Sequence, residues 1–88
     1  MNMGAAYEST GVPLRDVAEG KVARIVGLAC DPVLRQRLAS LGVRTGTEVS
    51  VLQRTGGGRA VVRIGFGHLA AGVDVMRSIL VAVPPQDA

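Results

Sequence analysis

Residues 34–52, "LRQRLASLGVRTGTEVSVL", join a short helix to a strand with almost nothing between them. Leu34, Leu38 and Leu41 recur at spacings of four and three, which lays one apolar stripe along a helix. Just upstream, Asp31 is a favourable N-cap, and Pro32 suits the first helical position, where its missing N–H costs nothing. Gly42 can take the left-handed backbone that ends a helix. "VRTG" then turns the chain at Gly46, and "TEVSVLQR" alternates, Val49 and Val51 against Glu48 and Ser50. Leu38, Leu41, Gly42 and Gly46 are therefore the structural joint of the chain.

On the N-terminal side, residues 1–12 lack periodicity and read as a flexible leader. "PLRDVAEG" spaces Leu14 and Val17 like one turn of helix or a bent strand, closed by Gly20. "KVARIVGLA" reads as the first long strand, with Gly27 marking a bulge or sharp bend. On the other side, glycines 56–58 form a hairpin tip. "RAVVRIGF" answers it, with Ala60, Val62, Ile64 and Phe66 expected on one face and Arg59 and Arg63 on the other. "GHLAAG" allows a further short strand and "VDVMRSI" a turn or two of helix. "ILVAV" closes the fold before Pro84 and Pro85, leaving 84–88 as a tail.

The composition agrees with a mainly β domain. Fourteen Val against eight Leu and three Ile favour a pleated surface over helices. Eighty-eight residues allow one domain, and so small a core favours a structure that hides its strand edges. The expected architecture is a compact, partly open β-barrel of about five strands, with one short α-helix inserted after the first long strand.

Ten Lys and Arg against seven Asp and Glu give a net charge of +3, and nine of the ten cations are Arg. They are spread from Arg15 to Arg77, with only Tyr7 and Phe66 as aromatics, which speaks for a solvated basic surface over a nucleic-acid platform. The single Cys30 cannot form an internal disulfide, and no apolar run approaches the roughly 18 residues of a membrane span. Together with the lack of a signal peptide, this predicts a cytoplasmic protein.

Chemistry is scarce. One His and one Cys stand 38 positions apart, without CxxC or HxxxH spacing, so no metal site is expected. The carboxylates are scattered and offer no nucleophile, base and orienting partner, so neither an enzyme nor a cofactor is expected. "TGGGRA" lacks the strand-to-helix setting and the Lys-Ser/Thr of a phosphate loop. Arg35, Arg37 and Arg44 are the one local cluster of interest. Arg35 and Arg37 lie about 200° apart on a helix and cannot share a face. Arg37 is a candidate either for a structural tie to a loop or for partner binding.

The run "PLRDVAEGKVARIVGL", then "RQRLASLGVRTGTEVSVLQR", a Gly-containing hairpin and "ILVAV" resembles the FeoA family of bacterial ferrous-iron transport accessory proteins. Pro13, Leu14, Val17 and Gly20 match the opening of the family pattern. Arg37, Leu38, Leu41, Gly42, Val43, Gly46, Val49 and Val51 match its joint, and Ile79 and Val81 its final strand. The likeness covers residues 13–83. Thr45 stands where the family has Pro, Gly72 where it has Arg, and Met76 where it has Ala. The resemblance implies an SH3-like barrel in the cytoplasm that docks on FeoB, a membrane ferrous-iron transporter with a cytoplasmic GTP-binding region. Exposure and charge nominate Arg35 and Arg44 on the helix, and Gly57 and Arg59 at the hairpin tip, as partner contacts. The alternatives are a basic barrel that binds nucleic acid, a divalent-metal sensor using Cys30, Asp31 or His68, and self-association through an unpaired barrel edge.

Overall fold

The computed structural model describes residues 11–83. Most of them belong to one antiparallel sheet and the short helical elements that accompany it. In chain order these are β1 (Val12–Pro13), a 3-10 turn (Leu14–Asp16), β2 (Val22–Leu28), α1 (Pro32–Ser40), β3 (Glu48–Gly56) and β4 (Arg59–Ile64). β5 (Gly67–Ala71), α2 (Val73–Ser78) and β6 (Ile79–Ala82) complete the chain. The strand order is β1-β6-β2-β3-β4-β5. Of the expected leader, residues 1–10 lie outside the described residues, as does the tail 84–88; Val12 is already paired with Val81.

The expected barrel of five strands and one helix needs correction. The sheet has six strands and does not close: β1 and β5 are its two edges. Closure would require a ladder between them, yet β1 is two residues long and one of those is Pro13, which has no N–H to donate. In place of a ladder, α2 packs against the 3-10 turn, β1, β4, β5 and β6, so it lies between the two ends of the sheet. Met76 is the plug that this helix delivers to the core. The helix inserted after the first long strand is present as α1; α2 is a second one.

The sheet curls because its ladders are interrupted. β2 shifts register against β6 between Ile25 and Gly27, where the sequence places a bulge, and β3 shifts twice against β4. Each extra residue bends its strand and increases local twist, which wraps the inner face around one core. Alternation then sorts the side chains. Ala23 and Ile25, Val49 and Val51, and Ala60, Val62 and Ile64 face inward, while Arg24, Glu48 and Arg63 stay in solvent. Ile79 and Val81 of β6, Leu14 of the 3-10 turn and Val17 just after it complete the packing.

Phe66 departs from the expected alternation. Gly65, at φ +59°, turns the chain immediately after Ile64, so Phe66 is the second residue of a two-residue hairpin turn and not the end of β4. Its side chain is fully exposed, at 108%.

Candidate functional site

The joint that ends α1 is built by local hydrogen bonds. Asp31 Oδ1 accepts from the Leu34 N–H at 2.8 Å, satisfying one of the unpaired donors of the first turn. At the other end Gly42 sits at φ +93°, its N–H donating to Ala39 O at 3.0 Å. The Val43 N–H reaches back to Leu38 O at 3.0 Å. This pair of bonds is the Schellman arrangement, and its usual apolar contact is supplied by Leu38 and Val43, each 1% exposed. Leu41 fits the stripe by spacing, but as the C-cap it swings out and is 54% exposed, which corrects its expected burial.

Gly46, at φ +95°, then brings the chain against β2. Its N–H donates to Ile25 O at 2.7 Å, its carbonyl accepts from Arg24 Nη1 at 2.7 Å, and the Ile25 N–H donates to Thr47 O at 2.9 Å. A 3.7 Å ion pair between Arg24 and Glu48 lies over the same junction. Of the four joint residues, Leu38 is the buried anchor, Gly42 and Gly46 make the turns, and Leu41 is the exposed C-cap.

The four nominated contact residues are all exposed, but they form two groups. Arg35 and Arg44 belong to the α1 end of the molecule, whereas Gly57 and Arg59 belong to the β3–β4 tip. The nine residues of β3 separate the groups by about 25 Å. They cannot form one compact site. Arg35 is also partly committed, since its Nη2 donates to Leu28 O at 3.2 Å. A tie of the kind considered for Arg37 is made by Arg35, because Arg35 lies on the flank of α1 that faces the end of β2.

Arg37 instead shares the outer face of α1 with two bare aliphatics. Val33, Arg37 and Leu41 recur every four residues and fall within about 80° of one another around the helix. Val33 is 68% exposed and Leu41 54%. The sequence carried this signal as a second four-residue spacing beside the leucine stripe. Arg44, just beyond the cap, adds a second cation near the same end.

Besides a hollow at the joint, lined by Arg24, Ile25, Val26, Thr45 and Gly46, two other shallow hollows bear on the candidate chemistry among the described residues. One, between the start of α1 and α2, is lined by Cys30, Asp31, Asp74, Arg77 and Ser78 among others. The thiol is partly buried and free. His68 is on β5, opposite Arg63 on β4. Among the described residues no three of His, Cys, Asp and Glu come together as a metal site. The second hollow lies on the outer sheet face, where Val22, Ser50 and Arg63 line up across β2, β3 and β4 beside Phe66. No helix among the described residues is long and apolar enough to cross a membrane.

A family model described as the FeoA domain matches residues 12–83. Among solved structures, an iron uptake regulatory protein (FeoA) is 25% identical with a TM-score of 0.71, covering 82% of this chain and 95% of that one. A FeoA protein from Chlorobium tepidum is 24% identical with a TM-score of 0.78, covering 88% and 74% respectively. The fold also matches part of a manganese-dependent transcriptional repressor at 21% identity and a TM-score of 0.78, covering 85% of this chain and 42% of the repressor. No curated protein matches the chain.

Proposed function

The chain belongs to the FeoA family, and from that premise we propose that it is a cytoplasmic, non-catalytic accessory protein of ferrous-iron uptake that docks on the GTP-binding region of a FeoB-like transporter. The likeness to an iron uptake regulatory protein (FeoA) supports the pathway. The observation that supports docking is the outer face of α1, where Val33 and Leu41 stand bare beside Arg37 and Arg44. Exposed aliphatics ringed by cations suit a partner surface that offers an apolar groove with acidic walls. The helix is capped at both ends and tied by Arg35 to β2, so it meets a partner without first having to order. The role of the joint is thus presentation: a short helix anchored to the curled sheet by Leu38 and Arg35, with its outer face turned to solvent.

The test is a pull-down of the transporter's soluble cytoplasmic domain. The double variant Leu41→Ser, Arg44→Glu is expected to lower recovery at least about tenfold, an effect of the size seen for small clusters of contact residues. Arg59→Glu at the distant tip serves as a control for loss of charge alone. Equal recovery with wild type and the double variant refutes docking through α1.

A further inference from the structure

We infer that the free edge of β5 is a self-pairing surface: two copies of this chain join antiparallel along Gly67–Ala71, in a register centred on Leu69. Among the described residues the two edges of the sheet differ sharply. β1 is blunted by its two-residue length and by Pro13. β5 has five residues, no proline, no formal charge in "GHLAA" with His neutral, and an unbroken five-pair register with β4. Sheet edges are ordinarily guarded by charge, proline, a bulge, extreme shortness or a covering helix. β5 has none of the first four, and α2, which packs against it, supplies no backbone hydrogen-bond partner to His68 or Ala70 among the described residues.

The hairpin sets which backbone groups are free. Ile64 and Gly67 close a two-residue turn and so form a hydrogen-bonded pair. Alternation makes Leu69 with Val62, and Ala71 with Ala60, hydrogen-bonded pairs as well. The N–H and C=O of His68 and Ala70 therefore point away from β4, toward the free edge. A second copy related by a two-fold axis at Leu69 sets His68 opposite Ala70 of the other copy, and Ala70 opposite its His68. Both outward-directed residues of each copy then exchange backbone hydrogen bonds in one register.

Side chains suit the same register. Phe66, in the turn just before Gly67, lies at the end of the paired strands where Gly72 of the second copy follows Ala71. Gly72 continues the extended backbone, at φ −78° and ψ −179°, and has open space where a Cβ would stand. A fully exposed aromatic ring thus meets a glycine with room above it, at both ends of the paired strands. Val73, 40% exposed, lies beside that glycine. The nearest cation across the ladder, Arg63, belongs to β4 and stands one strand inside the edge. An interface of one short strand pair and two aromatic contacts is at the small end of specific interfaces, so the dimer is weak and forms at high concentration.

Sedimentation velocity and amide exchange on the full chain test this. Between about 10 μM and about 1 mM, a range suited to a small transient interface, the protein is expected to pass from monomer to dimer. Protection of the His68 and Ala70 amides should rise with concentration. Ala70→Pro removes an edge-directed N–H while leaving the ladder to β4 intact, and should raise the dissociation constant at least about tenfold. Phe66→Ser should weaken pairing by a smaller factor. A wild-type protein that stays monomeric throughout that range overturns the inference, including the case in which β5 pairs only with a strand of another protein. So does a folded Ala70→Pro variant that dimerises like wild type. Should that variant not fold, the amides decide: dimerisation without added protection at His68 and Ala70 places the contact elsewhere.

Discussion

Replacing Gly42 by alanine isolates the backbone cost of the joint. Gly42 lies at φ +93°, yet a Cβ built there meets nothing within 4 Å. The whole penalty is therefore conformational. An L-residue in the left-handed region costs roughly 1–2 kcal/mol. Alanine also restricts the unfolded chain, which offsets about 0.4–1 kcal/mol of that cost. The expected net loss is about 1 kcal/mol. At about 0.05–0.15 kcal/mol per residue, the 88-residue chain has a total stability on the order of 4–13 kcal/mol, so the loss is measurable. Thermal unfolding should shift down by roughly 4–8 °C, and the urea midpoint by about 0.5–1 M. Gly42→Asn should lose less, because asparagine tolerates this region better. Gly58→Ala should lose more, since φ is +82° and its Cβ would sit 3.3 Å from Val73 Cγ2. Unchanged stability in Gly42→Ala refutes the left-handed cap. A loss above about 3 kcal/mol refutes the open space around it, since only a clash reaches that size.

Leu38→Ala should cost about 2–5 kcal/mol in chemical denaturation, because Leu38 is 1% exposed and anchors α1 to the core. Asp31→Ala should cost about 1 kcal/mol and speed amide exchange at Leu34, whose N–H the carboxylate accepts. Arg54→Ala should raise amide exchange at Gly20, whose N–H donates to Val51 O at 2.9 Å. The Arg54 guanidinium holds the carbonyls of Arg15 and Val17, and the Arg54 N–H bonds Glu19 at 2.7 Å, so the side chain pins the preceding loop to β3. Unaltered exchange at Gly20 would show that the loop does not depend on that side chain.

What could be read from sequence was whatever a residue does to its own neighbours. Asp31, Pro32 and Gly42 bound α1 because capping is local, and Gly27 marked the bulge in β2 because it interrupts a Val-rich strand. Periodicity failed where a turn overrode it. Phe66 continues the alternation of β4 on paper, but Gly65 turns the backbone one residue earlier. Leu41 continues the stripe, but the helix has already ended at Ser40. Closure of the sheet was not legible either, since it depends on how long β1 is and on α2 lying between the edges. The same holds for the candidate contacts. Arg35, Arg44, Gly57 and Arg59 were visible as exposed types, but their division between two ends follows from the length of β3 and the placement of α1 beyond it. Exposure of Val33 was hidden because it depends on which flank of α1 meets the sheet.

The pairing of Val12 with Val81, and of Pro13 with Leu80, places the first and last described strands antiparallel and side by side. Polypeptide attached before Val12 and after Val83 leaves from the same corner. Tension applied through such flanking segments peels the two rungs apart one after the other, as a zip opens, instead of loading them together in shear. This corner is the mechanically soft seam of the molecule, and a tethered neighbour that pulls on it would open β1 before it disturbed α1 or the β3–β4 hairpin.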